Sequence, residues 1–243
     1  MKLSSLFLAA LSIGASLFAA ESKAPAAKAA AAKQPPEPEL AWHDVTTWGV
    51  EGRAFAQAER KAWFDRLPAA AEGKVTTAVW NLSRDSAGMV VYFRTDATAI
   101  WTNYTVRKEK LAGFNMTAIG ASGIDLYAKD PQGHWRWAGV ARPEAKTVRQ
   151  AIVTDLAPGM RDYAAYLPLY NGVEALSLGV PVGAKFEPIA PRTAKPIVFY
   201  GTSITHGASA ATANNLDIAP LIDRKSTRLN SSHVALSRMP SSA

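Results

Sequence analysis

The stretch that decides the fold is residues 123–141, "GIDLYAKDPQGHWRWAGVA". Two runs rich in aliphatic and aromatic residues, 124–130 and 134–141, flank a short turn signal containing proline and glycine. Polar and apolar residues alternate along the second run, which is typical of a β-strand with one buried face. The stretch therefore predicts a β-hairpin whose second strand carries Trp135 and Trp137 on the same side.

The same pattern extends in both directions through the middle of the chain. Short runs enriched in β-branched and aromatic residues are separated by turn signals such as Ala157-Pro158-Gly159. Predicted strands cover residues 76–82, 88–95, 99–106, 114–120, 124–130, 134–141, 149–156, 163–170 and 173–180. The best helix candidate nearby is Ala54 to Asp65. This spacing predicts a mainly β protein, a jelly-roll-like β-sandwich over residues 41–190.

The tryptophans and histidines of this region allow two interpretations each. Large aromatic side chains dominate core energetics, so a core face is favoured for Trp80, Trp101, Trp135 and Trp137 over a sugar-stacking surface. The histidines of the region, at positions 43 and 134, have no second metal ligand at a useful spacing, and no metal site is predicted.

The N-terminal end has the features of an export signal. Lys2 is followed by an apolar run and then by small residues, which is typical of a cleavable signal peptide over residues 1–22. Residues 23–40 are rich in Ala, Lys and Pro and are expected to form a linker. We therefore expect an exported protein, periplasmic or extracellular, with no stable membrane insertion after signal cleavage. The sequence contains no cysteine, so its fold depends on core burial without disulfides.

A different kind of segment follows the β region: "PIVFYGTSITHGAS", residues 196–209. Four apolar residues, 197–200, are typical of a buried parallel strand, and Gly201 permits a tight exit from it. Ser203 would then lie at the carboxyl end of the strand, where ligands collect in α/β sheets and where backbone N–H groups can stabilise an oxyanion. The residues alone leave two roles open for Ser203, a helix cap or a nucleophile.

Three segments of the chain together resemble one protein family. They are "GIDLY" at 123–127, "YLPLYNGVEALSLGVP" at 166–181 and "KPIVFYGTSITHGAS" at 195–209. In this order they resemble a group of bacterial SGNH-type (GDSL-like) esterases that carry an N-terminal GxDLY domain. The likeness covers roughly residues 41–210, most of the chain after the signal peptide.

The resemblance implies a β-sandwich accessory domain followed by a three-layer α/β/α hydrolase, which starts within residues 191–222. It implies hydrolysis of an acyl ester on a small molecule or carbohydrate, with Ser203 as nucleophile and with no metal or organic cofactor. The family takes its base from a downstream Asp-x-x-His pair. Neither Asp217 nor His233 has a partner at that spacing, and His206 is interpreted as a residue of the pocket rim or surface.

The last segment, residues 223–243, differs from the rest. Its first half back-translates to a standard short-read sequencing adapter, so we interpret it as adapter-derived and expect the hydrolase domain to be truncated and this chain inactive. Four of the cations that give the formal net charge of +7 lie here against one acidic residue. The other basic residues are scattered, and no nucleic-acid partner is predicted. Two alternatives to an esterase stay open: a non-catalytic carbohydrate-binding sandwich and a structural surface domain.

Overall fold

The structure, a computed structural model, describes residues 38–53, 55, 58–193 and 203–213. Within these residues, nine strands form two antiparallel sheets. The strands are β1 (Leu40–Asp44), β2 (Val90–Thr95), β3 (Ile100–Val106), β4 (Ile124–Lys129), β5 (Trp135–Ala141), β6 (Thr147–Val153), β7 (Arg161–Tyr166), β8 (Val173–Pro181) and β9 (Phe186–Ile189). One sheet has the order β1-β8-β3-β6 and the other has the order β5-β4-β7-β2-β9. The predicted mainly β sandwich is confirmed.

The core lies between the two sheets and follows from the alternation along each strand. In β2 the side chains of Val91 and Phe93 point into the core, and Phe93 stacks on Tyr163 of β7 with ring centroids 5.4 Å apart. From the opposite sheet, Tyr104 and Leu178 enter the same cluster. Tyr104 also donates its hydroxyl to the Ser122 carbonyl oxygen over 3.0 Å, and burial raises the pKa of that phenol.

Seven of the nine predicted strands are confirmed, and two are helices instead. Residues 76–82 lie mainly in α1 (Thr77–Ser83), and residues 114–120 lead into α2 (Ala118–Ser122). In both places a threonine hydroxyl caps the helix, because Thr76 accepts from the Val79 N–H and Thr117 accepts from the Gly120 N–H. Such a cap satisfies a backbone donor that a strand would pair across its ladder.

The predicted helix from Ala54 to Asp65 is wrong where the structure describes it. Residues 58–65 form bends and turns. The guanidinium of Arg60 donates to the backbone oxygens of Ala58 at 2.8 Å and Asp65 at 2.9 Å. The Arg60 side chain thus bonds to carbonyl oxygens that would accept from backbone N–H groups in an α-helix. Two strands that the sequence did not predict, β1 and β9, each form an edge of a sheet.

Candidate functional site

Ser203 begins a one-turn helix, α3 (Ser203–His206), and its side chain is exposed. The backbone oxygen of Ser203 accepts from the Ala208 N–H at 2.9 Å, so the turn after the helix closes back on the serine. Gly207 follows the helix with φ of 91°, a left-handed conformation that glycine adopts without strain. The predicted strand at 197–200 and the Gly201-Thr202 pair lie outside the described residues.

His206, at the other end of α3, points into the sandwich. Its side chain is 1% exposed, its Nε2 lies 2.7 Å from the Leu169 carbonyl oxygen, and its ring stacks on Tyr170 with centroids 4.3 Å apart. The interpretation of His206 as a rim or surface residue is therefore wrong, because the sandwich covers this end of the helix. A carbonyl oxygen only accepts, so Nε2 carries the proton in this contact and is not available as a base.

The helix α3 and the turn that follows it pack against a surface of the sandwich that we call the docking notch: Asn115, Thr117, Gly120, Leu169 and Tyr170. The Asn115 side chain donates to the Ser209 hydroxyl at 2.8 Å. At Gly120, an added Cβ would lie 2.4 Å from the Ala210 carbonyl oxygen, so only glycine allows this approach. Small residues complete the contact, since Ala210 and Ala213 are buried in a cluster with Met116 and Leu169.

Buried hydrogen bonds fix the loop that carries Leu169 and Tyr170. Asn171 accepts from the Lys108 N–H at 2.9 Å and donates to the Lys108 carbonyl oxygen at 3.1 Å and to the Ser122 hydroxyl at 3.0 Å. The Asn171 carbonyl oxygen accepts from the Ser86 N–H, and the Ser86 hydroxyl accepts from the Val173 N–H at 2.8 Å. Because these groups are buried and paired, the loop has one favoured conformation.

A buried charge cluster lies beside this loop. Asp85 is fully buried, and its carboxylate contacts Lys108 Nζ at 2.6 Å and Arg107 Nη2 at 3.3 Å. Lys108 also donates to the Tyr170 carbonyl oxygen at 2.8 Å. Burial lowers the pKa of Arg66 to about 10, and the negative charge of Asp85 opposes that shift. The cluster thus links the docking notch to the interior of the domain.

A second surface lies on the outward side of the five-stranded sheet. The register pairs Tyr127 with Trp137 and Lys129 with Trp135, so these four side chains share one face. Trp137 is 56% exposed, and its Nε1 donates to Asp125 over 3.4 Å. Trp135 packs near Tyr92 with ring centroids 5.9 Å apart. We call Tyr92, Tyr127, Trp135 and Trp137 the aromatic surface.

The shared face predicted for Trp135 and Trp137 is confirmed. Both lie outside the cluster between the sheets, because β5 turns this face outward. The core position favoured for them is wrong for Trp137, which is 56% exposed, whereas Trp135 is partly buried against a second hydrophobic cluster that contains Tyr92. Trp80 is different: it lies in α1 and is buried against Leu67 and Val79. Trp101 is half-buried on β3, between the inward-pointing Ile100 and Thr102.

Next to the aromatic surface is a charged groove of about 590 Å³. It is lined by Arg94, Lys129, Asp130, Pro131, Gly159, Met160, Arg161, Asp162 and Glu187. Arg94 pairs with Asp162 at 2.6 Å, and Lys129 Nζ lies 5.6 Å from the ring centroid of Trp135. The groove therefore combines hydrogen-bonding side chains with an adjacent aromatic ring.

The two histidines of the β region, for which no metal site is predicted, have different environments. His43 stacks on Phe186 at 3.8 Å, and its pKa is lowered by burial, whereas His134 is exposed beside Asp130. In the ranges that the structure describes, no three His, Cys, Asp or Glu residues are grouped for a metal ion. Asp217 and His233 lie outside the described residues, as do the predicted signal peptide, most of the predicted linker and the segment 214–243. No helix among the described residues is long and apolar enough to cross a membrane.

Comparison with known families gives one match. Residues 40–186 match the GxDLY family, the N-terminus of SGNH-hydrolase-type esterases. This range includes the "GIDLY" segment, in which Asp125 is buried beneath Trp137, and the loop of the docking notch. No curated protein is significantly similar to the chain.

Several solved structures are similar to the described fold, among them the following two. One is a protein of Bacteroides ovatus ATCC 8483 described as a GDSL-like lipase, with 27% identity and a TM-score of 0.72, covering 79% of this chain and 55% of that one. The other is the salicylyl-acyltransferase SsfX3 from a tetracycline biosynthetic pathway, with 16% identity and a TM-score of 0.53, covering 80% and 51%. The chain thus spans about half the length of these two proteins.

Proposed function

Because this chain belongs to the SGNH-hydrolase-type esterases with a GxDLY N-terminal domain, we propose that it is part of an exported serine esterase whose nucleophile is Ser203. The observation that carries the proposal is the placement of Ser203. Its side chain is exposed at the first residue of a helix whose other end is anchored to the family's own sandwich domain. The GDSL-like lipase of Bacteroides ovatus supports an acyl ester as the substrate class.

The proposed reaction is a two-step acyl transfer. Ser203 Oγ loses its proton to a base and bonds to the ester carbonyl carbon, and the alcohol leaves with a proton. Water then attacks the acyl-enzyme, releases the acid and restores the serine. His206 is a poor base for this step, because its Nε2–H is committed to the Leu169 carbonyl oxygen and its side chain is only 1% exposed. In this proposal the base comes from residues outside those that the structure describes.

The test compares the 243-residue chain with a longer protein, expressed from the source reading frame extended to an Asp-x-x-His pair. We expect the longer protein to hydrolyse p-nitrophenyl acetate, and the 243-residue chain to hydrolyse it no faster than buffer. Ser203→Ala should abolish the activity of the longer protein. Ser177→Ala, at a serine in β8, serves as control and should retain it. Full activity in Ser203→Ala would contradict the proposal.

One observation favours a second candidate function, recognition of a saccharide by the sandwich. Trp137 presents an exposed indole whose Nε1 is tied to Asp125, next to the charged groove. An indole face accommodates the C–H face of a pyranose ring, and nearby charged side chains can bond its hydroxyl groups. We expect Trp137→Ala to remove retardation by soluble polysaccharides in affinity electrophoresis. Phe114→Ala, at a residue 99% exposed elsewhere on the surface, should leave it unchanged. Equal retardation of the Trp137→Ala and parent proteins would exclude this candidate.

A further inference from the structure

We propose that the sandwich holds the nucleophile in place, and that His206 is the positioning residue that connects them. The inference rests on the proposed role of Ser203. It extends that role by assigning a task to the N-terminal domain: the docking notch sets the orientation of the turn that carries the serine. The partner of the notch is thus a segment of this same chain, residues 203–213.

Helix α3 is too short to be stable without tertiary contacts. It comprises four residues, and helices shorter than roughly 12 residues are marginal without tertiary contacts. Its direction therefore depends on what it touches. The buried contacts are at its C-terminal end, where His206 meets Leu169 and Tyr170, whereas Ile204 near the start is exposed.

His206 makes two different contacts at once. The ring face stacks on Tyr170 with an interplanar angle of 18°, which fixes the plane of the imidazole. The Nε2–H points at the Leu169 carbonyl oxygen, which fixes the rotation within that plane. Two such constraints on one side chain define the position of the helix backbone three residues after Ser203.

The loop that contacts His206 is itself fixed by buried polar contacts. The Leu169 carbonyl oxygen and the Tyr170 ring, which contact His206, belong to this loop. Asn171 and the Asp85 charge cluster hold it in place. Gly172 ends this loop, where an added Cβ would lie 2.2 Å from the Arg84 carbonyl oxygen. Because both this loop and the His206 side chain are fixed, the sandwich sets the position of Ser203. A nucleophile reacts efficiently only when it is precisely positioned.

The first experiment uses the 243-residue chain and does not depend on hydrolysis. Long-range ¹H–¹⁵N NMR should show His206 with its proton on Nε2, and hydrogen exchange should show protected amides within residues 204–213. His206→Phe keeps an aromatic ring but loses the donor, and we expect at least a tenfold loss of protection. His206→Gln keeps an N–H donor near the Nε2 position and should recover most of it. His134→Phe and His134→Gln, at an exposed histidine, should change neither signal.

The second experiment uses the longer reading frame with its Asp-x-x-His pair. We expect His206→Phe to lower kcat by roughly ten- to a hundredfold with KM nearly unchanged, because the serine is displaced while the acyl site persists. His206→Gln should restore kcat to within about fivefold. Unaltered kcat and protection in His206→Phe would overturn the inference. Hydrolysis that survives Ser203→Ala, alongside the expected exchange results, would instead refute only the role of the serine.

Discussion

The docking notch and the aromatic surface differ in how their neighbouring polar groups are surrounded. Beside the notch, polar groups such as Asn171 and Asp85 are fully buried, and each is paired with groups from distant parts of the chain. At the aromatic surface and its groove, ion pairs such as Arg94 with Asp162 face solvent. An ion pair beside the notch is therefore expected to affect the free energy of unfolding much more than an ion pair at the groove.

The largest difference in the free energy of unfolding should appear when one aspartate is neutralised in each region. Asp85→Asn removes the buried negative charge that faces Lys108 and Arg107, and we expect a loss of about 3 kcal/mol in the free energy of unfolding. Asp162→Asn removes a partner of the half-exposed Arg94 and should cost less than about 1 kcal/mol. Urea unfolding followed by tryptophan fluorescence measures both. Similar losses in the two variants would mean that the regions do not differ as described.

A second prediction concerns docking without a large change in global stability. Gly120→Ala places a Cβ against the Ala210 carbonyl oxygen, so we expect amides within residues 203–213 to lose protection about tenfold. The sandwich itself should keep its stability within about 1 kcal/mol, because alanine favours helix α2 more than glycine does. Gly113→Ala is the matched control, since its nearest neighbour lies at an ordinary 3.6 Å. Retained protection in Gly120→Ala would show that the contact is not required for docking.

The two regions also differ in how far the sequence predicts them. Alternation predicts seven strands and the shared side of Trp135 and Trp137, because the period of two is a local property of the backbone. It does not predict which side faces the other sheet, which depends on how distant strands pair. Thr76 and Thr117 are N-cap residues, which are local signals for the start of a helix. These signals predict short helices at two of the places where alternation predicts strands.

The burial of His206 lies beyond local reasoning for a different reason. Its hydrogen-bond partner, Leu169, is 37 residues away in sequence, and the contact exists only once the loop before β8 has been fixed. The sequence does not predict the structural role of Asn171 either, although this residue lies within segment 166–181. An asparagine followed by glycine between two strands ordinarily indicates a turn, and nothing local reveals that its side chain bonds three groups of the interior.

A third prediction compares two tryptophans of the aromatic surface. Trp135 packs near Tyr92 beneath the ammonium group of Lys129, so Trp135→Ala should cost about 2 kcal/mol of unfolding free energy. Trp137 is mostly exposed, and its replacement by alanine should cost less than about 1 kcal/mol. Thermal unfolding by circular dichroism distinguishes them, with a midpoint shift roughly twice as large for Trp135→Ala. Equal shifts would show that Trp137 contributes to the packing of the domain.

The smallest effect is expected at Asp130, in the turn that borders the groove. The His134 backbone N–H at 2.7 Å and the Arg136 guanidinium at 2.9 Å hold the pKa of this carboxyl below its usual range. A carboxyl whose pKa is lowered by folding contributes stability above its unfolded value, near pH 4, and loses that contribution as pH falls through the folded value. Asp130→Asn should therefore be slightly less stable than the parent at pH 7, and the difference should shrink as the pH falls through the lowered pKa of Asp130. Urea titrations at neutral and at acidic pH measure it, and a difference that grows in acid would contradict the assigned contacts.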